Sequence, residues 1–310
     1  MTPIESNNIP SKQLQPELIC LLRARYRSYA SAKLVQGVFV ILTVLLPAAS
    51  LIFSSDYPGA KPYLTFLTIV LLLLDVGLFE RANKEKCKQG AKLQEEFDVE
   101  VMELPWNRFI VGAKVDHEDV CRSSTKPLSK KREGALIAWY EPCVGELPIH
   151  FGRLVCQRTN IAYDAKMRRK YSNTLLWFAV LLGVGLSVLG IAMDMRLADL
   201  LSTVWMPLSP VLTWTLREYR KHADTADKLT GLKSEWEKLW EKALKGATAN
   251  EITVSSRELQ DAIFQHRASS PLVFDWVYSF MRSDREAEAN HAATKLVETA
   301  KKALVKKEAA

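Results

Sequence analysis

The sequence predicts an all-α membrane protein, with four transmembrane helices in two hairpins, long cytoplasmic helices and a small mixed cytoplasmic insert. Three observations predict it. Apolar runs near 34–79 and 173–216 alternate with charged segments at 80–172 and 217–310, so the mean hydropathy of −0.05 averages two unlike populations. Cations cluster just outside those runs and are scarce in the loops that join each pair. In "KMRRKYSNTLLWFAVLLGVGLSVLGIAMD" (166–194), four cations in five residues give way to a long stretch almost without polar side chains. A soluble amphipathic helix spreads its charges along one face. Stacking them at one end marks a membrane boundary.

The elements follow in order. Residues 1–33 form a cytoplasmic N-terminal helix. The first hairpin, 34–79, holds "LVQGVFVILTVLLPAASLIF" (34–53) and "PYLTFLTIVLLLLDVGLF" (62–79). A hydrocarbon core of about 30 Å needs about 20 helical residues, which the first run supplies without a charge. The second run contains Asp75. A carboxylate at the bilayer centre costs roughly 2.5–3.5 kcal/mol, while each Leu, Ile, Val or Phe returns about 0.3–0.6. Twelve such residues in the run outweigh it. Residues 80–172 are cytoplasmic helices and the insert. The second hairpin, 173–216, holds "NTLLWFAVLLGVGLSVLGIA" (173–192) and "LADLLSTVWMPLSPVLTWTL" (197–216). The last run contains Pro207 and Pro210 and also suits an interfacial helix; the charge pattern decides for a crossing. Residues 217–310 form a helical cytoplasmic C-terminal region.

That pattern is the excess of cations on the cytoplasmic side. Arg23, Arg25, Arg27 and Lys33 precede the first run, and Arg81, Lys84, Lys86 and Lys88 follow the second. Lys166, Arg168, Arg169 and Lys170 precede the third, and Arg217, Arg220 and Lys221 follow the fourth. The connecting loops carry only Lys61 and Arg196, each offset by an Asp. The chain is therefore expected to be a multi-pass inner-membrane protein with both termini cytoplasmic. A net charge of +7, concentrated beside apolar runs, favours lipid headgroups over duplex DNA or RNA. The five cysteines lack CxxC spacing, so no metal site is expected, and their scatter suits a reducing compartment. No cofactor and no signal peptide are expected.

"LLRARYRSYASAK" (21–33) and "LVCQRTNIAYDAK" (154–166) align at a constant offset of 133, as two tandem helix–hairpin–helix units would. Leu229, Leu232, Trp236, Leu239, Trp240 and Ala243 form one apolar stripe on a helix, expected to pack on the 80–97 helix or to mediate oligomerisation. Within 98–153, short β-like pieces punctuated by Pro and Gly suggest a small hairpin, and 122–134 reads as an exposed basic loop.

The stretch "LQDAIFQHRASSPLVFDWVYSFMR" (259–282), with "FDVEVMELPWN" (97–107), "LPIHFGRLVCQRTNIAYDAKMRRKYS" (147–172) and "NNIPSKQ" (7–13), resembles the SMODS-associating four-transmembrane effector family over about residues 5–290. The resemblance implies a bacterial antiviral defence role. In it, a nucleotidyltransferase makes an oligonucleotide second messenger and the effector answers by forming a pore or disrupting the membrane, ending growth by abortive infection.

Candidate site residues fall into three groups. Asp75, the small-residue track Ala179, Gly183 and Ser187, and Pro207 and Pro210 are candidates for a pore, for helix packing or for a hinge. Packing within one chain explains the track equally well, and Asp75 can pair with Arg81 at the interface. An anionic signal needs Arg or Lys for phosphate. His150, Arg153, Arg158, Asn160, Asp164, Lys166, Arg168 and Arg169 are candidates, against membrane anchoring and surface salt bridges. His266, Arg267, Asp275, Trp276 and Tyr278 form either a C-terminal sensor or a small core. No catalytic motif is evident, and an enzyme is not expected. The favoured function is a homo-oligomeric, membrane-permeabilising effector. A membrane-anchored scaffold recruiting a soluble partner is the main rival, and a membrane enzyme the remote one.

Overall fold

A computed structural model describes residues 6–53, 57, 59, 61–74, 77, 79–137 and 139–308. Among these, every regular element is helical. In chain order they are α1 (Ile9–Lys12), α2 (Pro16–Phe53), α3 (Lys61–Leu74), α4 (Glu80–Val101), α5 (Arg108–Val111), α6 (His117–Ser124) and α7 (Lys130–Ile137). A 3₁₀ turn (Pro142–Glu146) and α8 (Ile149–Ala192) follow. Next come α9 (Leu197–Asp199), a π-helical stretch (Leu200–Trp205), α10 (Met206–Leu244), α11 (Ala249–Ser269) and α12 (Asp275–Glu308).

The small mixed insert is corrected. Its described residues hold no strand, because the apolar pieces around Trp139–Tyr140 and Val144 are cut short by Pro142, Gly145 and Pro148. They fold as the 3₁₀ turn, and α8 starts directly after Pro148. The basic loop at 122–134 is corrected in part, since its start is helical in α6 and its end in α7.

Two helices are long and apolar enough to cross a membrane: α2, over Pro16–Leu46, and α8. The protein itself buries only 17% of the most apolar window of each. In α3 a shorter apolar segment spans Pro62–Leu71. The fourth run is not one continuous α-helix. It opens as α9, widens into the π-helical stretch and only then becomes α10, which carries Pro210 inside it. Prolines remove backbone donors, and π-turns accommodate such breaks.

The chain divides into two compact units. One comprises Met1–Ala30, Lys86–Met167 and Thr225–Ala310; the other comprises Ser31–Glu85 and Arg168–Asp224. The second unit thus gathers all four apolar runs and the first gathers most of the charged sequence.

The core of the first unit is built around Leu22, Phe97, Leu147, Leu154, Ile161 and Ile252, all but excluded from solvent. Phe97 stacks on Tyr140 at 6.2 Å and meets Trp139 edge-on at 6.1 Å. The apolar stripe of α10 joins this core, and its tryptophans seat on α8. The Trp236 indole donates to the Leu154 carbonyl at 2.7 Å, and Trp240 packs edge-on against Phe151 at 5.6 Å. A Schellman turn ends α10. Gly246 adopts φ +98, its N–H reaches the Ala243 carbonyl, and the Ala247 N–H reaches that of Lys242. Thr248 and Glu251 then open α11 as a reciprocal capping box.

The N-terminal segment closes the other end of this core. The Asn7 amide donates to the carbonyls of Val144 and Leu147, both at 2.7 Å. Gln13 and the Tyr140 backbone bond reciprocally at 3.0 and 2.8 Å. Gly152 is required there, since a Cβ would stand 2.6 Å from the Asn7 amide nitrogen.

Candidate functional site

Two features of the chain carry chemistry, and each lies within one unit. The second unit bears a belt of exposed apolar side chains. Leu34, Phe66, Leu73, Leu181 and Ile191 are each more than 60% exposed, a density foreign to a water-facing surface. Within it α8 meets the π-helical stretch closely. A Cβ on Gly190 would lie 2.4 Å from a Leu200 methyl, and one on Gly183 would lie 3.3 Å from the Trp205 ring. Gly183 of the small-residue track therefore receives a side chain of its own chain. Ala179 is buried, and the Ser187 hydroxyl donates back to the Gly183 carbonyl at 2.8 Å. Pro210 is buried; the side chain of Pro207 and the whole of Asp75 lie outside the described residues.

At the charged margin of this unit, His222 is fully buried. Its Nδ1 is 3.4 Å from Arg168 Nη1, its Nε2 is 3.9 Å from a Glu218 oxygen, and its ring packs edge-on to Tyr171 at 4.7 Å. Burial, and then the Glu218 charge, push the Tyr171 phenol well above its ordinary value. Arg168 is thus an interior residue, while Arg169 is exposed.

The second feature is a buried network of charges in the first unit. Glu95 and Asp98 on α4 have no solvent exposure. Arg257 of α11 reaches Glu95 at 2.6 Å and Asp261 at 2.8 Å, and Gln260 reaches Glu95 at 2.8 Å. Arg267 pairs with Asp98, whose other oxygen accepts from the Tyr140 hydroxyl at 2.7 Å. Asn160 of α8 donates in turn to that hydroxyl at 3.0 Å, and Gln157 donates to the Ser256 carbonyl at 2.8 Å. Burial raises the Glu95 carboxyl above its ordinary value, with Arg257 opposing. Burial also works against the charge of Arg267, and the Asp98 carboxylate more than restores it. Buried charges persist only when paired and hydrogen-bonded in this way. The network fixes one register among α4, α8 and α11.

The candidate anion-binding residues do not converge on one surface. Arg153 donates to the carbonyls of Met102 and Glu103 and to the Thr253 hydroxyl. It thereby caps the C-terminal end of α4, where Glu103 turns at φ 53. The Arg158 guanidinium stacks 5.4 Å from the Trp236 ring centroid, and burial lowers its pKa. Asp164 lies 3.8 Å from His266, Lys166 bonds Glu288 at 2.8 Å, and His150 stacks beside Phe151. Of the C-terminal group, His266 and Arg267 are interior residues; the side chains of Asp275, Trp276 and Tyr278 lie outside the described ones. Sequence reasoning missed Glu95, Asp98, Arg257 and Gln260. Their signal was complementary charge at helical spacing on two helices, Glu95 and Asp98 on one and Arg257, Gln260 and Arg267 on the other.

Helical throughout its described residues, with two long apolar helices and an exposed apolar belt, the chain has the make-up of a helical protein compatible with membrane association. The chain belongs to the SMODS-associating 4TM effector family, whose domain it matches over residues 7–296. A probable CBASS effector molecule of Bacillus cereus strain VD146 is 27% identical over 289 residues, covering 89% of this chain and 94% of the relative. No solved structure matches the chain.

Proposed function

We propose that this chain is the membrane effector of a nucleotide-signalled bacterial defence system, which oligomerises and permeabilises the inner membrane on activation. The observation that carries the reading is the exposed apolar belt of the second unit, set in a chain of an effector family. Cations cluster beside each apolar run and not in the joining loops, which supports four crossings with both termini cytoplasmic. The kinship with a probable CBASS effector supports an oligonucleotide second messenger, made by an associated nucleotidyltransferase, as the trigger. A signal that binds the open or assembled state more tightly shifts the chain toward it. The lipid bilayer and further copies of the chain are its partners in this reading. Lys166 and Arg169, exposed on α8, remain candidates for the anionic signal.

The test is membrane potential in cells expressing the protein with and without its nucleotidyltransferase. A voltage-sensitive dye is read beside an impermeant DNA stain. Rapid depolarisation that requires the partner is expected. Growth arrest with an intact potential would refute permeabilisation and favour the scaffold reading.

A further inference from the structure

The first unit contains two C-terminal helices held in opposite ways. The charged face of α11 is locked by Arg257, Gln260 and Arg267 into the buried carboxylates of α4, and Ile252, Leu259 and Ile263 enter the core beside them. The distal half of α12, from Glu288 onward, has little of this. Its fully covered apolar side chains are Ala293, Val297 and Ala300, with Leu296 and Leu304 only partly covered. An alanine offers a single methyl group to bury. Lys166 pairs with Glu288 and Lys301 with Glu146 across the segment, and all four side chains are more than a third exposed. Exposed pairs of this kind are weak and screened by salt. Beneath the segment lies the 3₁₀ turn, and the Thr294 side chain lies beside the Cys143 thiol.

We propose that the distal half of α12 is an autoinhibitory strap, which lies across the 3₁₀ turn in the resting protein and lifts from it on activation. Elements that move are drawn from the weakly held parts of a fold. Alanine seams and exposed ion pairs let the segment leave without stranding a buried charge. Lifting uncovers the 3₁₀ turn and the edge of the core around Val144, a surface that the resting protein keeps from other molecules. The gating role rests on the membrane-effector reading above; the lifting itself does not.

The test has two arms. In the first, Thr294→Cys places a thiol beside Cys143 in the full-length purified protein, and hydrogen exchange is compared in the oxidised and reduced forms, with Thr294→Ser as control. In the reduced form, amides of 288–305 should exchange at least about tenfold faster than those of 252–264, and oxidation should slow them about tenfold. Equal protection of both segments, unchanged by oxidation, would overturn the strap. In the second arm, Lys301→Glu sets two acids against each other at Glu146 and should bring depolarisation at lower nucleotidyltransferase expression. Adding Glu146→Lys should restore the original threshold. Lifting without any shift in threshold would overturn the gating role. Absence of depolarisation in the parent protein would instead count against the membrane-effector reading.

Discussion

Replacing Arg153 by Met separates a structural role from a signal-binding one. Methionine keeps much of the volume and removes every donor. The guanidinium now serves the Met102 carbonyl, the Glu103 carbonyl at 2.8 Å and the Thr253 hydroxyl at 2.7 Å. Met102 is fully buried, so its carbonyl would be stranded away from water. Glu103 is exposed, and water can replace the lost bond there. One stranded acceptor at about 1–3 kcal/mol, with the charged hydrogen bonds lost beside it, gives a destabilisation of about 2–4 kcal/mol. Arg153→Lys should recover about half of this, since an ammonium group can reach one carbonyl but not span both. Urea unfolding followed by tryptophan fluorescence measures it, because Trp236 and Trp240 stack in the same core. A loss below about 1 kcal/mol, combined with abolition of the triggered response, would refute the capping argument and return Arg153 to the anionic signal.

Three further outcomes are expected. Thr248→Ala removes the reciprocal cap of α11 and should cost about 1 kcal/mol in urea unfolding, with Thr248→Ser close to the parent. Burial holds the Glu95 carboxyl above its ordinary 4.5, so its contribution to stability is greatest below that value and declines as pH rises through the raised one. Glu95→Gln should therefore gain stability relative to the parent as pH climbs through that window; a difference constant with pH would contradict the burial argument. Gly183→Val drives two methyl groups toward the Trp205 ring, which would stand only 3.3 Å from the Cβ itself, and should blunt depolarisation at unchanged membrane expression, whereas full depolarisation would remove this contact from the mechanism.

The apolar runs and the tryptophan stripe of α10 are legible because one residue property, repeated along a single helix, fixes each of them. The stripe's partner is not, because α4 and α8 both present apolar residues and only the register chooses between them. The buried charge network is illegible for a related reason. Glu95 and Asp98 read as ordinary surface acids until Arg257 and Arg267, about 160 residues further on, are brought opposite them. Arg153 shows the converse error. It lies in a cationic stretch and reads with its neighbours, yet its task is set by where α4 ends. The β-like reading of the insert fails because local propensity in a few residues yields to Pro142 and Pro148, which leave no length for a ladder.

The division of the first unit into three separated stretches governs how the chain can be made. Asn7 and Gln13 find their partners only at residues 140–147, and Asp98 finds Arg267 later still. Synthesis therefore releases all four apolar runs before Arg267 can reach Asp98 and complete the charged unit. The nascent N-terminal stretch must wait through about the first half of translation before the residues that hold Asn7 and Gln13 are made. Such long-range closure slows folding and exposes the half-made unit to aggregation. A truncated product ending before α11 would have its apolar runs but not the charged interior that orders the rest.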